Sequence, residues 1–448
     1  MKRVFLIAFI ITTTTACTPS LDKAIDFSQG NAVDIVDTDI ASVDASTSSV
    51  DLDSQVKVND DVRLNINLAF NELKDLEGNE LLAQNLGNCA PYASPQPYAF
   101  SGTSAGFSAS STAFSAYEHS IVLNSELKNL KNINQDVAII VVDDFAGASS
   151  SVEGFNISKD IIVDLFDAND STTWPIHGDV VLNQINLLLA ASDYQFIRYN
   201  LLEVEGARAY WSHPNGNNIV IEALDFNNAQ SQNIAKRLES SISNLQAVGY
   251  KNIVVNMSFA IVPCSVWNDY VAHIEQYKTI EEYAQAIYKK NEAALSAKID
   301  LDIYGQNVVL PELIFKLTTA INPLQDPLYK SLNNQKDVVF VASAGNFGND
   351  FSTYPAAYPN VISVSALDLA TKKKADYANT GNVLLAGGDF ILEFMNNGIS
   401  KSNISYKGSS FAAPELSYIA ALNLASGKRC QIVANKIDIS LAKFLDCN

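Results

Sequence analysis

Between Asp136 and Asp143 the chain runs Val-Ala-Ile-Ile-Val-Val with no polar interruption. Such a run does not alternate, so a strand built from it must be covered on both faces. That requirement places it inside a central, mostly parallel sheet with helices above and below, and makes the chain α/β. The sequence beyond residue 130 repeats the pattern. Residues 180–191 are apolar enough for a buried helix, and residues 194–204 read as a second strand. Ile234, Leu238, Ile242 and Leu245 recur at helical spacing before the strand-like Asn252-Ile253-Val254-Val255-Asn256. Residues 338–343 and 361–366 supply two more strands. Sheets of this kind present their ligand sites at the carboxyl ends of the strands, so functional residues are expected just after these runs.

Four segments meet that expectation. Asp143 ends the first run, and His177-Gly178 stands just before an apolar helix. Ser343-Ala344-Gly345-Asn346-Phe347-Gly348 follows a buried strand, and Gly408-Ser409-Ser410-Phe411-Ala412-Ala413-Pro414 opens a helix running through Ile419 and Leu424. Taken singly, a carboxylate after a strand is more often a turn or cap, and a lone histidine is more often structural. The last segment has a chemical logic of its own. A serine at a helix N-terminus feels the positive end of the dipole, which favours a developing anion. Pro414 is expected in the first turn, where N–H groups have no intrahelical partner.

In this order the four segments resemble the subtilisin-like serine peptidases, or subtilases, over about residues 134–428. The resemblance extends to Val255-Asn256-Met257-Ser258-Phe259, to Tyr354-Pro355-Ala356-Ala357-Tyr358-Pro359, and to Tyr377-Ala378-Asn379-Thr380-Gly381. It implies a subtilisin-like three-layer fold, with a mostly parallel sheet between helices, an N-terminal extension and an insertion at about residues 262–335. It also implies roles. Ser410 is the nucleophile, His177 the general base and Asp143 its orienting carboxylate. The Asn346 amide and the Ser410 N–H form the oxyanion hole. Ser258, Phe259, Ser343, Ala344 and Gly345 line the channel for an extended peptide. No metal ligand is assigned; family members bind structural calcium, but no dense acidic loop marks a site here. The family continues His-Gly-Thr-His-Val where this chain has His177-Gly178-Asp179-Val180, and Asp-Thr-Gly or Asp-Ser-Gly where it has Asp143-Asp144-Phe145. Asp144 is therefore an alternative functional carboxylate, and Asp179 a charge that could raise the imidazole pKa. These departures keep open one rival function, a catalytically inactive surface binding module; a protease dedicated to processing one partner is a further reading.

The N-terminus reads as an export signal. Lys2 and Arg3 precede an apolar run over residues 4–11, too short to span a bilayer, and small residues lead to Ala16-Cys17. Thr14-Thr15-Ala16-Cys17 resembles a lipobox with Thr14 in place of the usual Leu, so Cys17 is the expected lipidation site. The expected location is the cell envelope, at the outer membrane if the cell is Gram-negative, with the membrane as one partner and peptides or proteins as substrates. Residues 18–56 form an acidic tether rich in Ser and Thr, and residues 57–130 an arm or pro-region with a linker. The peptidase domain takes 131–448. A formal net charge of −19 leaves no excess of Lys and Arg for nucleic acid. Apart from Cys17, the cysteines are Cys89, Cys264, Cys430 and Cys447, an even set with three pairings open. One of these joins Cys430 to Cys447 and Cys89 to Cys264. Intact mass analysis of the mature protein should find an acylated Cys17 at its N-terminus; an unmodified cysteine would remove the anchor.

Overall fold

A computed structural model describes residues 84, 86–90, 114–127, 133–145, 177–202, 206–225, 230–273, 276–277, 280–348, 350–368, 371, 373–386, 390–396, 399–406, 408–427, 431–432 and 445–446. Two short strands, β1 (Asn88–Cys89) and β2 (Phe114–Ser115), precede helix α1 (Ala116–Leu127). There follow β3 (Val137–Asp143), α2 (His177–Ala190), β4 (Gln195–Leu202), β5 (Gly206–Ser212) and β6 (Asn218–Asp225). Next come α3 (Ser231–Ala247), β7 (Asn252–Met257) and β8 (Val262–Pro263). The insertion holds α4 (Cys264–Ala272), α5 (Ile280–Ser296), α6 (Leu301–Tyr304), a π-helical turn, α7 (Leu310–Thr318) and α8 (Pro327–Asn334). The chain then forms β9 (Val338–Ser343), β10 (Val361–Asp368), β11 (Lys373–Lys374), β12 (Val383–Ala386), β13 (Phe390–Asn396) and β14 (Ile399–Tyr406). It continues through α9 (Ser409–Ala425), β15 (Gln431–Ile432) and β16 (Leu445–Asp446).

The main sheet has nine strands in the order β11-β10-β9-β7-β3-β6-β5-β4, with β12 also on β10. Strand β3 lies between β7 and β6, parallel to both, and every one of its residues is buried. Its side chains divide the core in two. Val137, Ile139 and Val141 face α2 and α9, whereas Ala138, Ile140 and Val142 face α3 and α8. Ile234, Leu238, Ile242 and Leu245 form the buried stripe of α3, as their spacing requires. The result is the three-layer α/β arrangement expected, helices on both faces of a mostly parallel sheet.

Two details differ from expectation. The sheet ends in an antiparallel ribbon, β6-β5-β4, and β6 sits beside β3 in the middle of the fold although no strand was expected over residues 206–225. Pro311, Pro323 and Pro327, which the sequence suggests as breaks in the insertion, are instead helical: Pro323 and Pro327 open helical turns and Pro311 is the second residue of α7. At 323 and 327 a missing N–H costs nothing, because first-turn donors have no helical acceptor. Asp326 caps α8 by accepting from Leu328 N at 2.8 Å, and it also accepts from Asn88 Nδ2 at 2.7 Å and Ser231 Oγ at 2.9 Å.

The insertion has a core of its own, built from Trp267, Tyr270, Tyr283, Ile287, Leu313 and Leu317 together with Cys89 and Val262. A disulfide joins Cys89 to Cys264, and β1 pairs antiparallel with β8 beside it. Cys17, Cys430 and Cys447 lie outside the described residues, as do the signal, the acidic tether and most of the arm. Among the described residues no helix is long and apolar enough to cross a membrane. Because the bridged cysteines are 175 residues apart, the bond removes much freedom from the unfolded chain. Cys264→Ala should lower unfolding stability by about 2–5 kcal/mol, measured by urea titration; an unchanged midpoint would mean that the bridge does not hold the fold.

Candidate active site

The site is assembled from element ends. Asp143 is the last residue of β3 and its carboxylate is buried. Its Oδ1 accepts the Asp144 N–H at 2.8 Å and meets His177 Nδ1 at 2.8 Å. The loop after β3 is held on both sides, since Phe145 N donates to Asp225 Oδ1 at 3.0 Å and Gly178 N donates to Asp144 O at 3.1 Å. Only glycine fits at 178, because a Cβ there would collide with Asp144 O and Asp143 Cβ. His177 therefore starts α2 with its ring fixed against Asp143. The Asp143 carboxylate can only accept, so Nδ1 carries the proton and Nε2 is left as the basic nitrogen.

Burial works against a charged imidazole at His177, yet its pKa stands above the ordinary value. The charge of Asp143, its hydrogen bond and the charge of Asp144 together outweigh the burial. The carboxylate bonded to the ring is thus that of Asp143, while Asp144 acts through charge. The Asp179 side chain lies outside the described residues. The His177 ring also leans on Phe411, centroid to centroid 5.6 Å, so it is brought to the residue that follows Ser410.

Ser410 is the second residue of α9, where backbone N–H groups have no helical acceptor. Pro414 lies farther into the helix than expected. It is inside α9, four residues after Ser410, where a normal residue would donate to the Ser410 carbonyl. Ser258 fills that gap, its hydroxyl donating to Ser410 O at 2.8 Å. Ser258 Oγ in turn accepts from Asn256 Nδ2 at 3.0 Å, and Asn256 Oδ1 accepts from Ser417 Oγ at 3.0 Å. A buried chain of hydrogen bonds thus ties the end of β7 to the first and third turns of α9.

Asn346 stands in the loop after β9. Its Oδ1 accepts from Ser409 N and from Ser409 Oγ, both at 2.8 Å. A backbone N–H can bond only to an acceptor, so the amide orientation is settled and Nδ2 points away from Ser409. Nδ2 lies 3.3 Å from where a Cβ on Gly408 would sit, and the Phe411 ring 3.4 Å from it, so a side chain at 408 would crowd the space in front of the amide. Sequence reasoning missed Ser409. Its hydroxyl also contacts Gly345 O at 3.0 Å and Gly345 N at 3.1 Å, which locks the loop to the start of α9. Gly345 has φ +108°, and a Cβ there would sit 2.7 Å from Asn379 Nδ2. Asn379 braces the same loop, with Oδ1 accepting from Phe347 N and its own N–H donating to Gly345 O, both at 2.9 Å.

The five residues expected to line a peptide channel fall into two groups. Ser258 and Phe259 follow β7 and are buried, Ser258 in the hydrogen-bond chain and Phe259 in the core against Ile140 and Met257. Ser343 is buried at the end of β9. Ala344 donates to Val364 O at 2.8 Å and accepts from Thr353 N at 2.8 Å, and Gly345 is engaged as above. Among the described residues, no group of three or more His, Cys, Asp and Glu side chains could hold a metal ion.

Residues 219–429 match the family model described as the Subtilase family. That stretch contains Asn346 and Ser410; Asp143 and His177 precede it. Halolysin from Haloferax mediterranei is 40% identical over 87 residues, which make up 19% of this chain and 16% of halolysin. The chain thus matches less than a fifth of that relative's length. The prenylagaramide maturation protease PagA covers 68% of this chain and 80% of its own at 15% identity and a TM-score of 0.36. The PatG macrocyclase in complex with peptide covers 71% and 86% at 13% identity and a TM-score of 0.32. Over residues 219–429, the chain is thus similar to the Subtilase family.

Proposed function

We propose that the chain is an exported serine endopeptidase that hydrolyses peptide bonds in proteins or peptides, held at the membrane by a lipid on Cys17. The observation that carries the reading is the 2.8 Å contact between His177 Nδ1 and the buried Asp143 carboxylate, with the ring turned against the residue after Ser410. His177 Nε2 takes the Ser410 Oγ proton as that oxygen attacks the scissile carbonyl carbon. The C=O pair moves onto oxygen, and the resulting oxyanion is met by Asn346 Nδ2 and the Ser410 N–H. As the tetrahedral centre collapses, the C–N bond breaks and the amine leaves with the proton that imidazolium returns. Water then repeats the sequence: it loses a proton to Nε2 as it attacks the acyl carbon, and on collapse the C–Oγ bond breaks, Ser410 Oγ takes that proton back from imidazolium and the acid is released. Asp143 holds the tautomer throughout and stabilises the charged ring.

A fluorophosphonate probe should label Ser410, and Ser410→Ala should abolish labelling; a folded wild type that fails to react would leave an inactive binding module. Asn346→Ala should lower kcat by about 10²–10³, a magnitude taken from loss of an oxyanion donor in a subtilisin, with little change in KM. A second expectation concerns pH. The base works only as neutral imidazole, so activity rises as pH passes upward through the His177 pKa, which is raised above that of an ordinary histidine. Asp144→Asn removes a charge that favours imidazolium and should move the acid limb of the kcat/KM profile to lower pH. A limb that stays in place would show that Asp144 does not act on the ring.

A further inference from the structure

Helix α2 begins with His177 and α9 carries Ser410 as its second residue, so the register of one helix against the other sets the separation of the two side chains. The seam between them is apolar except at a few points. Within α2, Asn183, Gln184 and Asn186 are buried amides in an otherwise aliphatic run. Asn186 Oδ1 accepts from Trp211 Nε1 at 3.2 Å and so braces β5. Gln184 crosses the seam: its Nε2 donates to the Phe411 carbonyl at 2.6 Å. Phe411 is therefore gripped twice from the same helix, its ring by His177 and its backbone by Gln184, seven residues or roughly 10 Å farther along the axis.

The grip is a costly one. Gln184 Oε1 is buried with no hydrogen-bond partner among the described residues, a loss that an aliphatic side chain would avoid. Stability alone does not account for an amide here, and its one bond goes to the carbonyl next to the nucleophile. Phe411 O, like the Ser410 carbonyl held by Ser258, lies in the opening turn of α9, so both are fixed by side chains from different layers. Farther along, Asn124 of α1 continues the seam, with Nδ2 donating to Leu188 O at 2.8 Å and Oδ1 accepting from the Tyr418 hydroxyl at 2.5 Å.

We propose that Gln184 is a positioning residue for the Ser410–His177 pair, acting through Phe411 to keep the opening turn of α9 in register with the first turn of α2. The proposal rests on the peptidase reading above. A displacement of about 1 Å between reacting groups can cost as much as 10² in rate, and Gln184 sits where such a slip would begin.

The test is the rate of fluorophosphonate labelling at Ser410, together with kcat and KM on a peptide, in the full chain. Gln184→Met keeps the volume and loses the donor; Gln184→Asn keeps an amide that falls one methylene short. Both should slow labelling and lower kcat by about 10-fold or more with KM nearly unchanged, since the slip affects alignment and not substrate contacts. Labelling at the wild-type rate in either folded variant would overturn the proposal. So would failure of both to fold, which would make Gln184 a packing residue only. If the wild type itself does not label, the peptidase reading falls first, and the two failures are distinguishable.

Discussion

Pro414 has no N–H to give, and its place in α9 leaves the Ser410 carbonyl without a helical partner. In a buried setting an unpaired carbonyl costs about 1–3 kcal/mol, so something must donate to it. Ser258 does, and in doing so it connects the Ser410 backbone to the carboxyl end of β7. Asn256 and Ser417 extend the link, so that the strand end grips the helix at positions 410 and 417. The imperfection in the helix is what lets a neighbouring strand register it. With the first turn so held, the space around Ser410 is defined by groups that cannot shift independently.

The loop carrying Asn346 follows the same principle from another side. Its amide oxygen is occupied by Ser409, which leaves the amide N–H₂ as the end free to face a substrate oxygen. Gly345 can take its left-handed conformation because no Cβ competes with Asn379 and Thr353 for that space. A preorganised donor is effective because it needs no rearrangement when charge develops. Ser409 thus does for Asn346 what Asp143 does for His177: each consumes one end of a two-ended side chain and thereby assigns the other.

How much of this could be read from the sequence depended on whether a feature was local. The apolar run ending at Asp143 announced a doubly covered strand, and β3 is one, with odd and even residues feeding separate cores. His177-Gly178 and Gly408-Ser409-Ser410 lie at helix starts, and their order along the chain, through the resemblance it carries, is what marked them. By contrast, β5 and β6 were missed because their turn, over residues 213–217, separates two runs whose value lies in pairing across the sheet. Pro414 was placed a turn too early because the N-terminal boundary of α9 could not be fixed from Gly408 alone. The roles of Gln184, Ser258 and Asn379 are contacts between residues far apart in sequence, and their only local trace is polarity amid apolar neighbours. Asn183, Gln184 and Asn186, together in an aliphatic helix, are the clearest such trace.

The surroundings of the imidazole show where this chain departs from the motifs its sequence resembles. Where the family places a hydroxyl residue after the aspartate, here stands Asp144, and Asp143 Oδ2 is buried with no hydrogen-bond partner among the described residues. A carboxylate with one oxygen unpaired depends more heavily on the cation it can hold across its other oxygen. Asp144 adds a second negative charge to the same field, so the imidazolium is favoured twice over, and burial is overcome. A more basic imidazole accepts the serine proton more readily but is neutral over a narrower range of pH, and the two effects pull the rate in opposite directions. Under the peptidase reading, the departure at 144 is therefore a change in the working pH of the site more than a loss of its machinery, because Asp143 still meets the His177 ring and Phe411 still packs against it.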